Sequence, residues 1–151
     1  MIQIGDTLPD VLGLDQEGRE VRMANWIGRK LVLYFYPKDN TPGCTAEACS
    51  LRDHYDELRQ QGYEIIGCSA DSAASHQKFI AKHNLPFNLI TDPSHQLMEA
   101  LGVWGEKKLA GRTYMGILRT TFVTDEQGRI THIIGPKQIE TKTHGEQLLA
   151  L

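Results

Sequence analysis

The most continuous apolar run in the chain is Leu31–Tyr36 (LVLYFY), a β-branched and aromatic stretch stopped by Pro37. A run of that length without polar interruption predicts a central strand covered on both faces. Tyr63–Ser69 (YEIIGCS) predicts a second strand, and the stretch Thr41–Gln61 between them has helical composition and closes at Gly62, which makes one βαβ unit. Ahead of it, Val11–Leu14, a turn at Asp15–Gly18 and Val21–Met23 predict an opening hairpin, followed by a loop through Trp26 and Gly28. Behind it come a helix over Ala73–Asn84, a short strand at Asn88–Thr91 and a helix over Ser94–Leu101 ended by Gly102. A second hairpin follows, Ile117–Thr124 and Ile130–Ile134 about a turn at Asp125–Gly128, then a short helix over Thr143–Leu151. This alternation predicts an α/β fold, a three-layer sandwich around a mixed central sheet with an N-terminal hairpin.

Composition narrows the picture. At 151 residues, 40% hydrophobic and 23% charged, the chain suits one compact domain spanning residues 1–151, without internal repeats or linkers. The net charge of -3 and the scattered Lys and Arg residues argue against nucleic acid as a partner. No apolar run approaches the ~18 residues of a spanning helix, so no membrane role is expected. Met1–Leu8 lacks the basic-then-apolar pattern of a leader, and the expected location is cytoplasmic. Three cysteines, Cys44, Cys49 and Cys68, are an odd number for a disulfide scaffold. The six histidines show neither metal-ligand spacing nor an HExxH pattern, so no metal is expected.

Candidate chemistry concentrates in Tyr36-Pro37-Lys38-Asp39-Asn40-Thr41-Pro42-Gly43-Cys44, the turn from the buried strand into the helix. Ligand sites favour that place in α/β sheets. Thr41 suits an N-cap and Pro42 the first helical position, which would set Cys44 in the first turn beside unpaired N–H groups. Helix N-termini and nearby cations lower thiol pKa values, and the thiolate is the nucleophile. A thiol of ordinary pKa is already a few per cent ionised at neutral pH, so full ionisation gains only about thirtyfold. A fast catalyst must add donors aimed at developing negative charge. The N–H groups of Gly43 and Cys44, the Thr41 hydroxyl and Arg119 are the candidates, Arg119 being expected on one strand face with Ile117, Thr121 and Val123. Glu47, three residues after Cys44, would oppose a thiolate unless an arginine paired with it. If Cys44 and Cys49 bonded, the helix would have to unwind: five residues apart on a helix, their Cβ atoms stand about 9 to 10 Å apart, against ~3.8 Å in a disulfide. Cys68, inside a predicted central strand, reads as structural.

The residues Pro37-x-x-x-Thr41-Pro42-Gly43-Cys44-Thr45, with Glu47 and Cys49, resemble the motif of the peroxiredoxins, specifically the bacterioferritin-comigratory or peroxiredoxin Q subclass. Gly102–Lys107 and Gly111-Arg112-Thr113-Tyr114-x-Gly116-Ile117-x-Arg119 resemble it too. The resemblance covers nearly the whole chain and implies a thioredoxin-like fold. It also implies that Cys44 is the peroxidatic and Cys49 the resolving cysteine, that Thr41 and Arg119 bind the peroxide, that Pro37 shields the thiolate and that Glu47 holds the arginine. The implied activity is reduction of hydrogen peroxide and organic hydroperoxides by a monomer, with electrons from thioredoxin or a similar dithiol protein and no metal, haem or flavin. Resolution by an external thiol, a general disulfide reductase and a redox-sensing module remain as alternatives.

Overall fold

A computed structural model of the chain describes residues 2–151, so Met1 of the segment read for a leader lies outside it. Its centre is a seven-stranded mixed sheet. In chain order the strands are β1 (Val11–Asp15), β2 (Glu20–Arg22), β3 (Lys30–Phe35), β4 (Tyr63–Ser69), β5 (Asn88–Thr91), β8 (Thr120–Thr124) and β9 (Ile130–Ile134), arranged β2-β1-β5-β4-β3-β8-β9. β3, β4 and β5 run parallel, and the hairpins β1–β2 and β8–β9 close the two flanks antiparallel. The expected α/β sandwich and N-terminal hairpin are present.

Period-two alternation divides the core. Leu31, Leu33 and Phe35 face one layer, with Ile66, Cys68 and Phe122. Val32, Tyr34 and Tyr36 face the other, with Ile65, Leu89 and Val123. The second layer is roofed by α1 (Pro42–Asp53), α2 (Tyr55–Gln60), α3 (Ala73–His83) and α5 (His144–Leu149) through Cys44, Ala48, Leu51, Leu58, Phe79 and Leu148. The first is covered by α4 (Gln96–Ala100) and by Leu8, Met23 and Val103. Burial of these side chains supplies the main drive for folding, at roughly 25 cal/mol per Å² of apolar surface. Gly67 of β4 keeps the second layer tight, because a Cβ there would stand 2.9 Å from the Tyr34 ring and 2.7 Å from Leu89. Among the described residues no helix is long and apolar enough to cross a membrane.

Two expectations need correction. The helix read over Thr41–Gln61 is two, because the ladder breaks at His54, whose backbone N–H and ring Nδ1 both address the Ser50 carbonyl. Ile117–Thr124 is not one strand. Ile117 ends β7 (Arg112–Ile117), which pairs with β6 (Trp104–Leu109) in a separate hairpin, and Leu118 and Arg119 form the joint before β8. That hairpin is polar and exposed along most of its length, so no apolar period marked it. Its tip, Ala110 and Gly111, has both residues at positive φ, 51° and 80°, the geometry for which Asn-Gly is the usual signature.

Helix α5 packs against α1 at one close point. A Cβ on Gly145 would come within 2.6 Å of the Ser50 carbonyl, and Gly145 N–H donates to Ser50 Oγ at 2.9 Å. Backbone cannot yield as a flexible side chain does, so Gly145→Ala is expected to destabilise the fold by about 2 kcal/mol. Urea denaturation of the variant checks this, and an unchanged midpoint would show that the helices separate freely.

Candidate active site

β3 carries the chain to the carboxyl end of the parallel strands, and the next six residues are pinned before α1 begins. The Tyr36 hydroxyl donates to Asp39 Oδ1 at 2.6 Å, while Asp39 Oδ2 accepts from Ser75 Oγ and His76 Nδ1, each at 2.8 Å. His76 Nε2 lies 3.0 Å from the Ile90 carbonyl, so both ring nitrogens face oxygens. Burial pushes the Asp39 carboxyl up, but the hydrogen bonds from His76, Tyr36 and Ser75 outweigh it and leave the group below its usual value. Asp39 N–H donates to Asp71 Oδ2, which also accepts from Ser69 Oγ. Asp39, Asp71 and His76 thus bring potential ligand atoms within 4.8 Å of one another, a cluster that sequence spacing did not reveal. Hydrogen bonds already occupy those atoms.

Past this anchor the backbone turns through Asn40, at φ 64°, to Thr41. Thr41 is the N-cap, with extended φ and ψ, and Pro42 opens α1 as expected. Its side chain does not cap the helix. The hydroxyl donates instead to the Lys38 carbonyl at 2.9 Å, so in this state its hydrogen is occupied and its lone pairs are what it offers. Pro37 sits half-buried at the exit of β3, and Gly43 leaves room beside Arg119, whose Nη2 would lie 3.5 Å from a Cβ at that position.

Cys44 is buried in the first turn of α1, 2% exposed. Arg119 reaches it from the β7–β8 joint, where Leu118 N–H is held by the Val103 carbonyl and the Thr120 hydroxyl by the Leu118 carbonyl. Arg119 therefore shares the face of Thr121 and Val123 but not that of Ile117, which packs on the opposite side of the sheet. Its guanidinium spans two partners: Nη2 donates to Cys44 Sγ at 3.4 Å and Nη1 to Glu47 Oε1 at 2.6 Å. Desolvation works against the arginine charge, but Glu47 and Cys44 outweigh it and raise its pKa further. Glu47 is fully buried. Burial lifts its carboxyl to about 7 against the pull of Arg119.

No motif or spacing pointed to His144. It is fully buried, with Nε2 3.9 Å from Glu47 Oε2. Gln147 fixes its tautomer: the Gln147 amide nitrogen donates to the Gln138 carbonyl and its Oε1 accepts from Glu140 N–H, so Nδ1 of His144 donates to that oxygen at 2.8 Å. Nε2 then accepts from the Thr121 hydroxyl at 2.8 Å and offers Glu47 nothing. Burial, helped by Arg119, holds the imidazole below its usual pKa. Glu47 Oε2 has no hydrogen-bond donor, consistent with its raised pKa. Tyr34, missed as well, lies beneath the site; burial, then Glu47 and Cys44, push its phenol well above the usual value. Finding either from sequence would have needed the fold, since His144 stands 97 positions after Glu47.

Cys49 is half-buried on α1 and reduced, like Cys44. Cys68 is fully buried in β4 on the other face of the sheet, and burial, with Asp92, pushes its thiol well above the usual value.

A buried cysteine in the first turn of the helix after a central strand, held by a guanidinium, on a sheet flanked by helices, defines a thioredoxin-fold thiol peroxidase. Residues 4–133 match the family model described as the AhpC/TSA family, and the chain belongs to that family. It is similar to Peroxiredoxin Bcp of Bacillus subtilis, 45% identical over 148 residues that cover 98% of this chain and 93% of that protein. To Peroxiredoxin Bcp of Escherichia coli it is 40% identical, covering 98% and 94%. Among solved structures it resembles a cysteine-to-serine mutant of Xylella fastidiosa PrxQ, with TM-score 0.88 and 32% identity over 99% of this chain and 94% of that one. The Xanthomonas campestris bacterioferritin comigratory protein, studied for alkyl peroxide reduction, gives TM-score 0.86 and 30% identity over 98% and 96%. The chain is thus a peroxiredoxin, a peroxidase that takes a peroxide as substrate and a thiol as reductant.

The raised Glu47 pKa has a stability consequence of definite sign. A carboxyl near 7 in the fold and 4.5 in the ordinary state binds its proton more tightly when folded, so its contribution is full below about 4.5 and is lost as pH rises through about 7. Relative to Glu47→Gln, the wild type is expected to lose on the order of 3 kcal/mol across that window. Urea midpoints of both proteins at pH 5 and pH 8 check this; a wild type that stays level with the variant would mean that Arg119 holds Glu47 ionised throughout.

Proposed function

We propose that Cys44 is the peroxidatic cysteine, that Cys49 resolves it, and that residues 1–151 form one monomeric, cytoplasmic enzyme domain recycled by thioredoxin or a similar dithiol protein. The observation carrying this reading is the Arg119 fork, which gives one charged donor to Cys44 Sγ and anchors itself on Glu47. A thiolate accepts such a bond far better than a thiol. With peroxide bound, Cys44 Sγ attacks the distal oxygen along the O–O axis. The S–O bond forms, the O–O bond breaks, and the departing hydroxide or alkoxide gathers a proton as Cys44 becomes a sulfenic acid. Arg119 Nη2 and the N–H groups of Gly43 and Cys44 stabilise the charge that moves onto the leaving oxygen. The Thr41 hydroxyl, donating to Lys38, accepts from the peroxide O–H and orients it. Pro37 shields the sulfur from bulk water.

Resolution requires α1 to yield, since both cysteines lie on its continuous ladder. The anchor at Asp39 marks where the yielding segment begins, and Pro42 and Gly43 weaken the helix start. Cys49 then attacks the sulfenic sulfur, water departs, and the disulfide is returned to two thiols by the dithiol reductant.

Arg119→Ala is expected to lower kcat/KM for hydrogen peroxide about 100-fold, the usual loss for one oxyanion donor. Peroxide consumption coupled to thioredoxin and its reductase measures it, and a loss below threefold would remove Arg119 from the chemistry. One equivalent of peroxide should link Cys44 to Cys49 in disulfide mapping, whereas Cys49→Ser should stop at a Cys44 sulfenic acid. A wild type that also stops there would hand resolution to an external thiol.

A further inference from the structure

Cys49 has a partner that the peroxide chemistry leaves unused. Its face of α1 looks toward the C-terminal end of α3, where His83 Nδ1 lies 3.9 Å from Cys49 Sγ. The ring is steadied edge-on against Phe79, with centroids 5.3 Å apart and planes at 75°. Cysteine and histidine are both half-buried, so the imidazole touches the sulfur and still exchanges protons with water. The surrounding charges are cationic on both helices. From α1, Arg52 donates Nη1 to the His83 carbonyl at 2.8 Å and is itself partly neutralised by Asp53; on α3, Lys82 directly precedes His83 and adds its charge. Burial, then Lys82 and Arg52, hold the imidazole below its usual pKa, which leaves it neutral and able to accept a proton at neutral pH. Sulfur makes longer hydrogen bonds than oxygen, and catalytic contacts are often loose before the reacting state forms.

We propose that His83 is the general base of the resolving half-reaction, taking the thiol proton of Cys49. This deepens, and rests on, the reading of Cys49 as the resolving cysteine. Nδ1 accepts the proton from Sγ, and the resulting thiolate attacks the sulfur of Cys44 sulfenic acid. The S–S bond forms as the S–O bond breaks. The hydroxide that leaves is protonated to water, from the imidazolium or through solvent, which restores neutral His83. No further oxidant or reductant enters. A general base in contact with the thiol takes its proton as the S–S bond forms, so the attack does not wait for free thiolate. The contact exists while α1 is wound at Cys49, so His83 meets the thiol where the yielding first turn delivers Cys44.

The test separates His83 from the role of Cys49. In Cys44→Ser, Cys49 is the one accessible thiol because Cys68 is fully buried. Its iodoacetamide alkylation, followed by mass spectrometry from pH 5 to pH 10, is expected to slow about tenfold at pH 7 when His83→Gln is added, with the profile displaced to higher pH. In the protein with Cys44 intact, rapid-mixing kinetics should show the ratio of disulfide formation to sulfenic acid formation falling about tenfold at pH 7 in His83→Gln and recovering toward pH 9, where the thiol ionises unaided. His83→Asn repeats both measurements against local misfolding, which would move the rates at every pH alike. An alkylation profile unchanged by either substitution overturns the proposal. Absence of any Cys44–Cys49 disulfide in the wild type would instead sink the resolving role, whatever the alkylation profile shows.

Discussion

The site depends on one guanidinium held between a thiol and a buried carboxyl. Arg119 is planar and offers parallel donors, so one side chain can bond Cys44 Sγ and Glu47 Oε1 together, which an ammonium on a flexible stem would not do with fixed geometry. The two partners impose opposite demands. Cys44 needs the positive charge, and Glu47, close by on the same helix, would repel a thiolate if its own charge were unmatched. Pairing Glu47 removes that repulsion and locks the arginine in place, which is how a carboxyl can stand beside the thiol proposed as the nucleophile.

The rest of the molecule keeps those three groups in register. The β7–β8 joint presents Arg119 through backbone hydrogen bonds at Leu118 and Thr120, while the tight seat of Gly145 on α1 brings His144 against Glu47. That histidine gives Glu47 no proton donor, so the carboxyl's ionisation answers to Arg119 and to burial. On the strand side, the Asp39–His76 pair ties the loop after β3 to α3 and β5. The structure therefore holds the loop after β3 by buried polar side chains, and the first turn of α1 by the backbone ladder and the Arg119 contact to Cys44, a division suited to the opening proposed for that turn.

Much of this was legible in the sequence because it depends on local signals. LVLYFY reads as a covered strand by its length and β-branched and aromatic content, and Thr41-Pro42 suits a helix start. What escaped depends on the fold. The break at His54 arises from a ring competing for one carbonyl, which composition does not show. The β6–β7 hairpin is polar and turns on Ala-Gly, so it carries neither an apolar period nor the usual turn dipeptide. Arg119 was found by residue type and motif but set on too long a strand, and the error exchanged Ile117's face for its own. His144, Tyr34 and the His83 contact became visible only once distant elements lay side by side.

Cys68 shows what the sheet does beyond support. It stands on β4 opposite the layer that contains Cys44, its sulfur fully enclosed by Leu33, Phe35 and their neighbours. A sulfenic acid on Cys44 would have to pass through a hydrogen-bonded ladder to meet it. The backbone sheet thus stands as an insulator between thiols, and on the roles proposed for Cys44 and Cys49 the odd cysteine lies out of reach of an oxidised sulfur.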